Sequence, residues 1–120
     1  MSISESQKCK QFVKIVNNLK CWRQFKSDFI LLHVPNESIK PTMEYRRHLV
    51  AMGMVVGASD YLVLHKNGWA AIEFKRDDKA KRNGLTERQK AFKEQCEQLE
   101  IPYLLTCDPH EAVEFIKSLL

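Results

Sequence analysis

Asp60 and the triplet Glu73-Phe74-Lys75 are the residues of this chain best placed to do chemistry. They flank two short apolar runs, Tyr61 to Leu64 and Trp69 to Phe74, joined by His65-Lys66-Asn67-Gly68. Asn-Gly between two such runs is a strong hairpin signal, because a type I′ turn needs positive φ at both central residues. With Asn67-Gly68 as the turn, Lys66 pairs with Trp69, Leu62 faces Glu73 and Asp60 faces Lys75. With a four-residue loop, His65 to Gly68, Asp60 lies directly opposite Glu73. In both cases Asp60, Glu73 and Lys75 share one face, since side chains alternate along a strand and cross-strand partners project together. Only an odd-length loop separates them. Two carboxylates and an ammonium on a strand pair suit a hard divalent cation and a hydrolytic water. The plain alternative is a salt bridge across a hairpin. Against it, Glu73 sits amid Ala70, Ala71, Ile72 and Phe74, where a charge is costly unless paired or metal-bound.

The elements that must position these residues can be read from apolar spacing. Ser2 or Ser4 opens a helix to about Lys20, with Cys9, Phe12, Val16 and Leu19 as its buried stripe. Extended backward by four, the stripe reaches Glu5. That carboxylate either closes a capping box with Ser2 or points toward the hairpin. Phe29 to Val34 reads as a strand stopped by Pro35. Pro41 can begin a helix to about Met52, with Tyr45, Leu49 and Met52 inward and Gly53 ending it. Arg76 to Leu85, containing Asn83-Gly84, reads as a polar, mobile loop. Thr86 caps a helix to about Leu99, with Ala91, Phe92, Cys96 and Leu99 inward. Tyr103 to Cys107 is a short buried strand. Asp108-Pro109-His110-Glu111 starts a last helix that buries Ala112, Val113, Phe115, Ile116 and Leu119. The order is helix, strand, helix, hairpin, helix, strand, helix: an α/β fold with a small mixed sheet flanked by helices, one domain over residues 1–120.

Composition narrows the class. A chain of 120 residues with 44% hydrophobic and 28% charged content is that of an ordinary soluble domain. No apolar run approaches the roughly 18 residues of a membrane span, and the first ten residues lack a signal-peptide core. Four cysteines without CxxC spacing and four scattered histidines argue against zinc. The cysteines (Cys9, Cys21, Cys96, Cys107) read as reduced, mostly buried thiols of a cytosolic protein. The net charge of +4 is uneven: Lys75 to Lys93 holds eight basic and three acidic residues, a net of +5 that leaves −1 for the rest. A polyanion arriving beside the hairpin is favoured, although lysine-rich loops are commonly just solvated.

A glutamate on the first helix, an aspartate opening a strand and Glu-x-Lys on the next strand resemble the PD-(D/E)XK nuclease superfamily. The chain carries Ser4-Glu5-Ser6-Gln7, Val34-Pro35-Asn36, Gly57-Ala58-Ser59-Asp60-Tyr61, Ile72-Glu73-Phe74-Lys75-Arg76 and Leu85-Thr86-x-x-Gln89. Together, and in this order, these resemble the stand-alone VRR-NUC (virus-type replication-repair nuclease) domains of phages and bacteria, over nearly the whole chain. One departure is Ser59, where the family usually has a proline that supplies no ligand.

The resemblance implies a PD-(D/E)XK nuclease-like core and a role for each matching residue. Asp60, Glu73 and the Phe74 backbone carbonyl would ligate Mg²⁺ or Mn²⁺, with Glu5 joining directly or through water. Lys75 would orient the attacking water and offset charge on the phosphorane. Gln89 would stand at the site, although Thr86-x-x-Gln89 is also a capping box. Asn36, Arg76, Lys79, Lys81, Arg82 and Arg88 would meet nucleic acid; for Asn36 a turn-making role is the alternative. Glu37 is a second candidate for the helix carboxylate. Tyr45, Arg46 and Arg47 read as a solvated helix face, His33 and His48 as packing or surface residues, Trp22 and Trp69 as core or interface. The expected activity is metal-dependent hydrolysis of DNA leaving 5′-phosphates, directed at branched substrates such as four-way (Holliday) junctions by a homodimer. The expected location is the cytoplasm of a bacterium or phage-infected host, with no membrane association and no nucleotide cofactor. A non-catalytic nucleic-acid-binding module with the same fold is the alternative.

Overall fold

The apolar stripe on the first helix sets the layout. A computed structural model of the chain describes residues 3–20, 28–34 and 42–120. The expectations for Ser2, Cys21, Trp22, Pro35, Asn36, Glu37 and Pro41 lie outside those residues. Helix α1 (Glu5–Lys20) opens at Ser4. Gln7 N–H donates to Ser4 Oγ at 3.2 Å, and Ser4 N–H donates to Gln7 Oε1 at 2.9 Å. This reciprocal box is formed by Ser4 and Gln7, and Glu5 is the first helical residue. Phe12 and Val16 of the stripe are buried, and Cys9 and Leu19 pack half-buried beside them.

The stripe lies on a four-stranded mixed sheet of order β1 (Phe29–His33), β2 (Tyr61–His65), β3 (Gly68–Phe74), β4 (Tyr103–Thr106). β1–β2 and β2–β3 are antiparallel, and β3–β4 is parallel. Parallel strands need a long crossover. Here it consists of α3 (Asp78–Asn83) and α4 (Glu87–Gln98). On the face toward α1, Phe29, Tyr61, Val63, Ala70, Ile72 and Phe74 form the core with α5 (Pro109–Leu119), which buries Ala112, Val113 and Ile116. Phe12 meets Tyr61 edge-on at 5.1 Å between ring centroids and Phe74 at 5.2 Å. These two rings directly follow Asp60 and Glu73 in sequence, so the aromatic cluster anchors both strand ends.

The helix boundaries follow their caps. Thr86 and Gln89 form a full capping box, and Asp108 accepts from His110 N–H ahead of Pro109. α4 ends with Glu100 in the left-handed region (φ 59°) and with Ile101 N–H bonded to the Cys96 carbonyl, which turns the chain into β4.

Four local expectations are corrected. The turn is Lys66-Asn67, with His65 paired to Gly68; among the described residues neither Lys66 nor Asn67 has positive φ, and only Gly68 does (φ 135°). The type I′ assignment to Asn67-Gly68 therefore fails. One local and one tertiary tie favour the observed turn: Asn67 N–H donates to His65 Nδ1, and its amide reaches the Leu119 carbonyl at the end of α5. The Arg76–Leu85 loop contains α3, capped by Asp77 through Ala80 N–H. α2 (Met43–Ala51) has no buried residue: Tyr45 and Met52 are exposed and Leu49 is half-buried. On α4 only Cys96 is buried, while Ala91 and Leu99 are exposed. No helix among the described residues is long and apolar enough to cross a membrane.

Because Phe12 supports both strand ends, Phe12→Ala is expected to lower unfolding free energy by about 3–5 kcal/mol. Urea unfolding followed by tryptophan fluorescence checks it; a loss comparable to an exposed-residue change would contradict the anchoring role.

Candidate functional site

The register decides which side chains meet. Tyr61 pairs with Ile72, and one step further places Asp60 opposite Glu73. This is the alignment of the four-residue loop, with Leu62 opposite Ala71. Both acids are buried, Asp60 at 4% and Glu73 at 2% exposure. Each is satisfied by the other's strand: Asp60 N–H donates to Glu73 Oε2 at 3.1 Å, and Phe74 N–H donates to Asp60 Oδ2 at 2.7 Å. The Phe74 peptide thus joins the site through its N–H, while its ring is fully buried in the core. Glu5, at the start of α1, brings a third carboxylate. One oxygen from each of Glu5, Asp60 and Glu73 lies within 4.8 Å of the others. Two oxygens on one Mg²⁺ at about 2.1 Å stand at most about 4.2 Å apart, so small side-chain shifts close the set around a hard cation.

Gln89 links the remaining pieces. Its Nε2 donates to Glu73 Oε1 at 2.9 Å. Its Oε1 accepts from Lys75 Nζ at 3.1 Å and from Thr86 N–H at 3.0 Å. The capping and site readings of Gln89 are therefore both satisfied by one amide. Lys75 lies one residue beyond β3, held by its N–H to the Thr106 carbonyl at 2.8 Å.

Burial, then the charge of Asp60, pushes the Glu73 carboxyl from 4.5 up to about 9; Lys75 and the Asp60 N–H pull the other way, and Glu5 adds to the rise. Near neutral pH the metal-free site therefore favours a proton on Glu73. Burial and the charges of Glu73, Cys96 and Asp60 raise Tyr103 as well, so its phenol stays protonated. Its buried hydroxyl has no hydrogen-bond partner among the described residues.

Other predicted residues fall elsewhere. Arg76 pairs with Asp77 at 3.2 Å, and Lys81 stands 4.0 Å from Glu111. Lys79 and Arg82 are exposed on α3. Arg88 lines a separate cleft with Arg46, Arg47, Met43 and Val50. Ser59 is fully buried and donates to the Tyr61 carbonyl at 3.0 Å.

His33 is exposed and packs on Tyr61, as expected of a packing or surface residue, and two contacts beside the acids have no signal in the sequence. His33 Nδ1 lies 3.1 Å from the Asp60 carbonyl, which also accepts from Val34 N–H at 2.8 Å. Gly57 (φ +90°) presses on α4, where an added Cβ would stand 2.5 Å from the Arg88 carbonyl carbon. A lone histidine in a strand gives no periodic signal. Gly57 is a detectable breaker, but its partner is distant in sequence.

Comparison of the chain with protein-family models, with curated proteins and with solved structures gives no match.

Two outcomes are expected. Glu73 binds a proton more tightly folded than unfolded, so its contribution to metal-free stability is full below about pH 4.5 and fades as pH rises toward about 9. In EDTA, the melting temperature of Glu73→Gln should therefore gain on wild type between about pH 5 and about pH 9; parallel melting curves would contradict the buried acid pair. Gly57→Ala adds a strained φ and a backbone clash next to Gln89. It should cost about 2 kcal/mol or more in urea unfolding.

Proposed function

We propose that this chain is a metal-dependent endonuclease that hydrolyses DNA phosphodiester bonds on a PD-(D/E)XK-like core of the VRR-NUC kind. The observation carrying this reading is the convergence of Glu5, Asp60 and Glu73, with Lys75 joined to Glu73 through the Gln89 amide. Three hard oxygen donors beside an ammonium make a poor structural device. Two of them are buried next to each other, a costly arrangement for stability alone.

Asp60 and Glu73 would hold Mg²⁺ or Mn²⁺ together with the Phe74 carbonyl, and Glu5 would complete the set from α1. The cation, when bound, supplies a water of lowered pKa and neutralises phosphate charge. The chain's own groups do the rest. The rigid strand ends fix the two acids, because Tyr61 and Phe74 are locked against Phe12. Gln89 holds the Lys75 ammonium where it can orient the attacking oxygen and offset charge on the five-coordinate phosphorus. The products would be a 5′-phosphate and a 3′-hydroxyl. Selectivity for branched DNA would follow from a homodimer whose two sites cut two strands of a four-way junction.

Lys75→Ala and Glu73→Ala are expected to fold yet cleave labelled DNA about 10²–10⁴-fold more slowly than wild type. A panel of linear, flapped and four-way substrates with Mg²⁺, Mn²⁺ or EDTA measures this. Calorimetry should detect a Mg²⁺ site in wild type that disappears in Asp60→Ala. Cleavage by these variants at the wild-type rate would take these residues out of the reaction, and no cleavage together with no cation site would leave a nucleic-acid-binding module without catalysis.

A further inference from the structure

The acidic cluster is not closed off. It forms one end of a cleft of about 710 Å³ that runs along α1, with Glu5 and Asp60 at that end and Lys10, Lys14, Asn17 and His33 among its walls. The two lysines are one helical turn apart, about 6 Å along the axis, close to the separation of neighbouring phosphates on a nucleic-acid strand. Neither has an ion-pair partner among the described residues. Of the basic residues after β3, Arg76, Lys81, Lys90 and Lys93 each have an acid within 4.0 Å, and Lys79, Arg82 and Arg88, which have no ion pair among the described residues, do not line this cleft. Lys8, also on α1, is already committed to the Cys107 carbonyl at 2.6 Å. The far wall is firm, because His33 leans on Tyr61 (5.1 Å between centroids) and its Nδ1 contacts the Asp60 carbonyl.

We infer that this cleft is the path of the phosphodiester strand: Lys10 and Lys14 hold two successive phosphates on one side of the one presented to Glu5, Asp60 and Glu73. This rests on the hydrolase reading and adds where the polymer lies. Exposed ammonium groups one helical turn apart, leading to a carboxylate cluster, suit a ligand bearing negative charge at regular intervals, and a nucleic-acid strand supplies it. Asn17 offers an amide that can donate to a phosphate or sugar oxygen further along the same wall.

The test is the salt dependence of binding, measured in EDTA so that no bond is cut. Fluorescent single-stranded and duplex DNA, and RNA of the same sequence, are titrated with wild type, with Lys10→Ala/Lys14→Ala and with Lys117→Ala on α5 as a control. Each lost phosphate contact flattens the slope of log K against log salt by about 0.7 for single strands and about 0.9 for duplex. The double variant should therefore flatten it by about 1.4–1.8, with Lys117→Ala unchanged. The polymer whose slope change reaches the value for two contacts, about 1.4 for a single strand or about 1.8 for duplex, is the strand taken. An unchanged slope in the double variant, an equal change in Lys117→Ala, or no binding by wild type overturns the assignment. Calorimetry with Mg²⁺ alone separates this from the hydrolase reading. A cation site kept in the double variant alongside an unchanged slope removes the cleft but leaves the acidic centre standing.

Discussion

The exchange of hydrogen bonds between the ends of β2 and β3 is the constraint on which the site depends. Asp60 offers its N–H to the Glu73 carboxylate, and Phe74 offers its N–H to the Asp60 carboxylate. Two acids are thereby held together in a dry environment by the backbone of each other's strand. The arrangement tolerates no slack, because the next residue on each strand is an aromatic ring fixed in the core. Packing on one face of the sheet is in this way converted into positional accuracy at the ends of its two central strands.

The second support comes from a helix cap. Thr86 and Gln89 begin α4 with the reciprocal bonds that any such helix would use. The same glutamine amide reaches the strand ends, accepting from Lys75 and donating to Glu73. α4 therefore cannot shift without disturbing both the ammonium and an acid. Gly57 allows this closeness, since its missing Cβ lets the loop before Asp60 touch the backbone at Arg88. Three segments far apart in sequence are tied at one point: the Gly57–Asp60 approach, the end of β3 and the first turn of α4.

What could be read from the sequence follows a physical division. The α/β class with its four strands, the caps at Thr86 and Asp108 and the stripes of α1 and α5 are local signals, and they read correctly. Asp60 and Glu73 could be placed on one face because alternation has period two, whichever even loop joins the strands. Gln89 reads from sequence both as a cap and as a site residue, and one amide makes both sets of bonds. The rest depended on distant partners. α2 has an apolar pattern but no surface to bury it on among the described residues. α3 was hidden in a polar stretch whose one cue was Asp77, and Asn67 departed from its preferred turn because it binds the end of α5. His33 matters through contact with Asp60, which no spacing in the sequence encodes.

The hairpin also has a degenerate alignment. Sliding β3 by two residues would keep Tyr61, Val63, Ile72 and Phe74 on the same face, so burial alone cannot tell the two pairings apart. The slipped form would set Asp60 against Lys75, opposite charges in place of like ones, and would restore the Asn67-Gly68 turn. Short-range energetics thus pull toward a hairpin without the acid pair, while β1, β4 and the terminus of α5 select the one that has it. The carboxylate dyad is a frustrated element, maintained by long-range topology against the preference of its own segment.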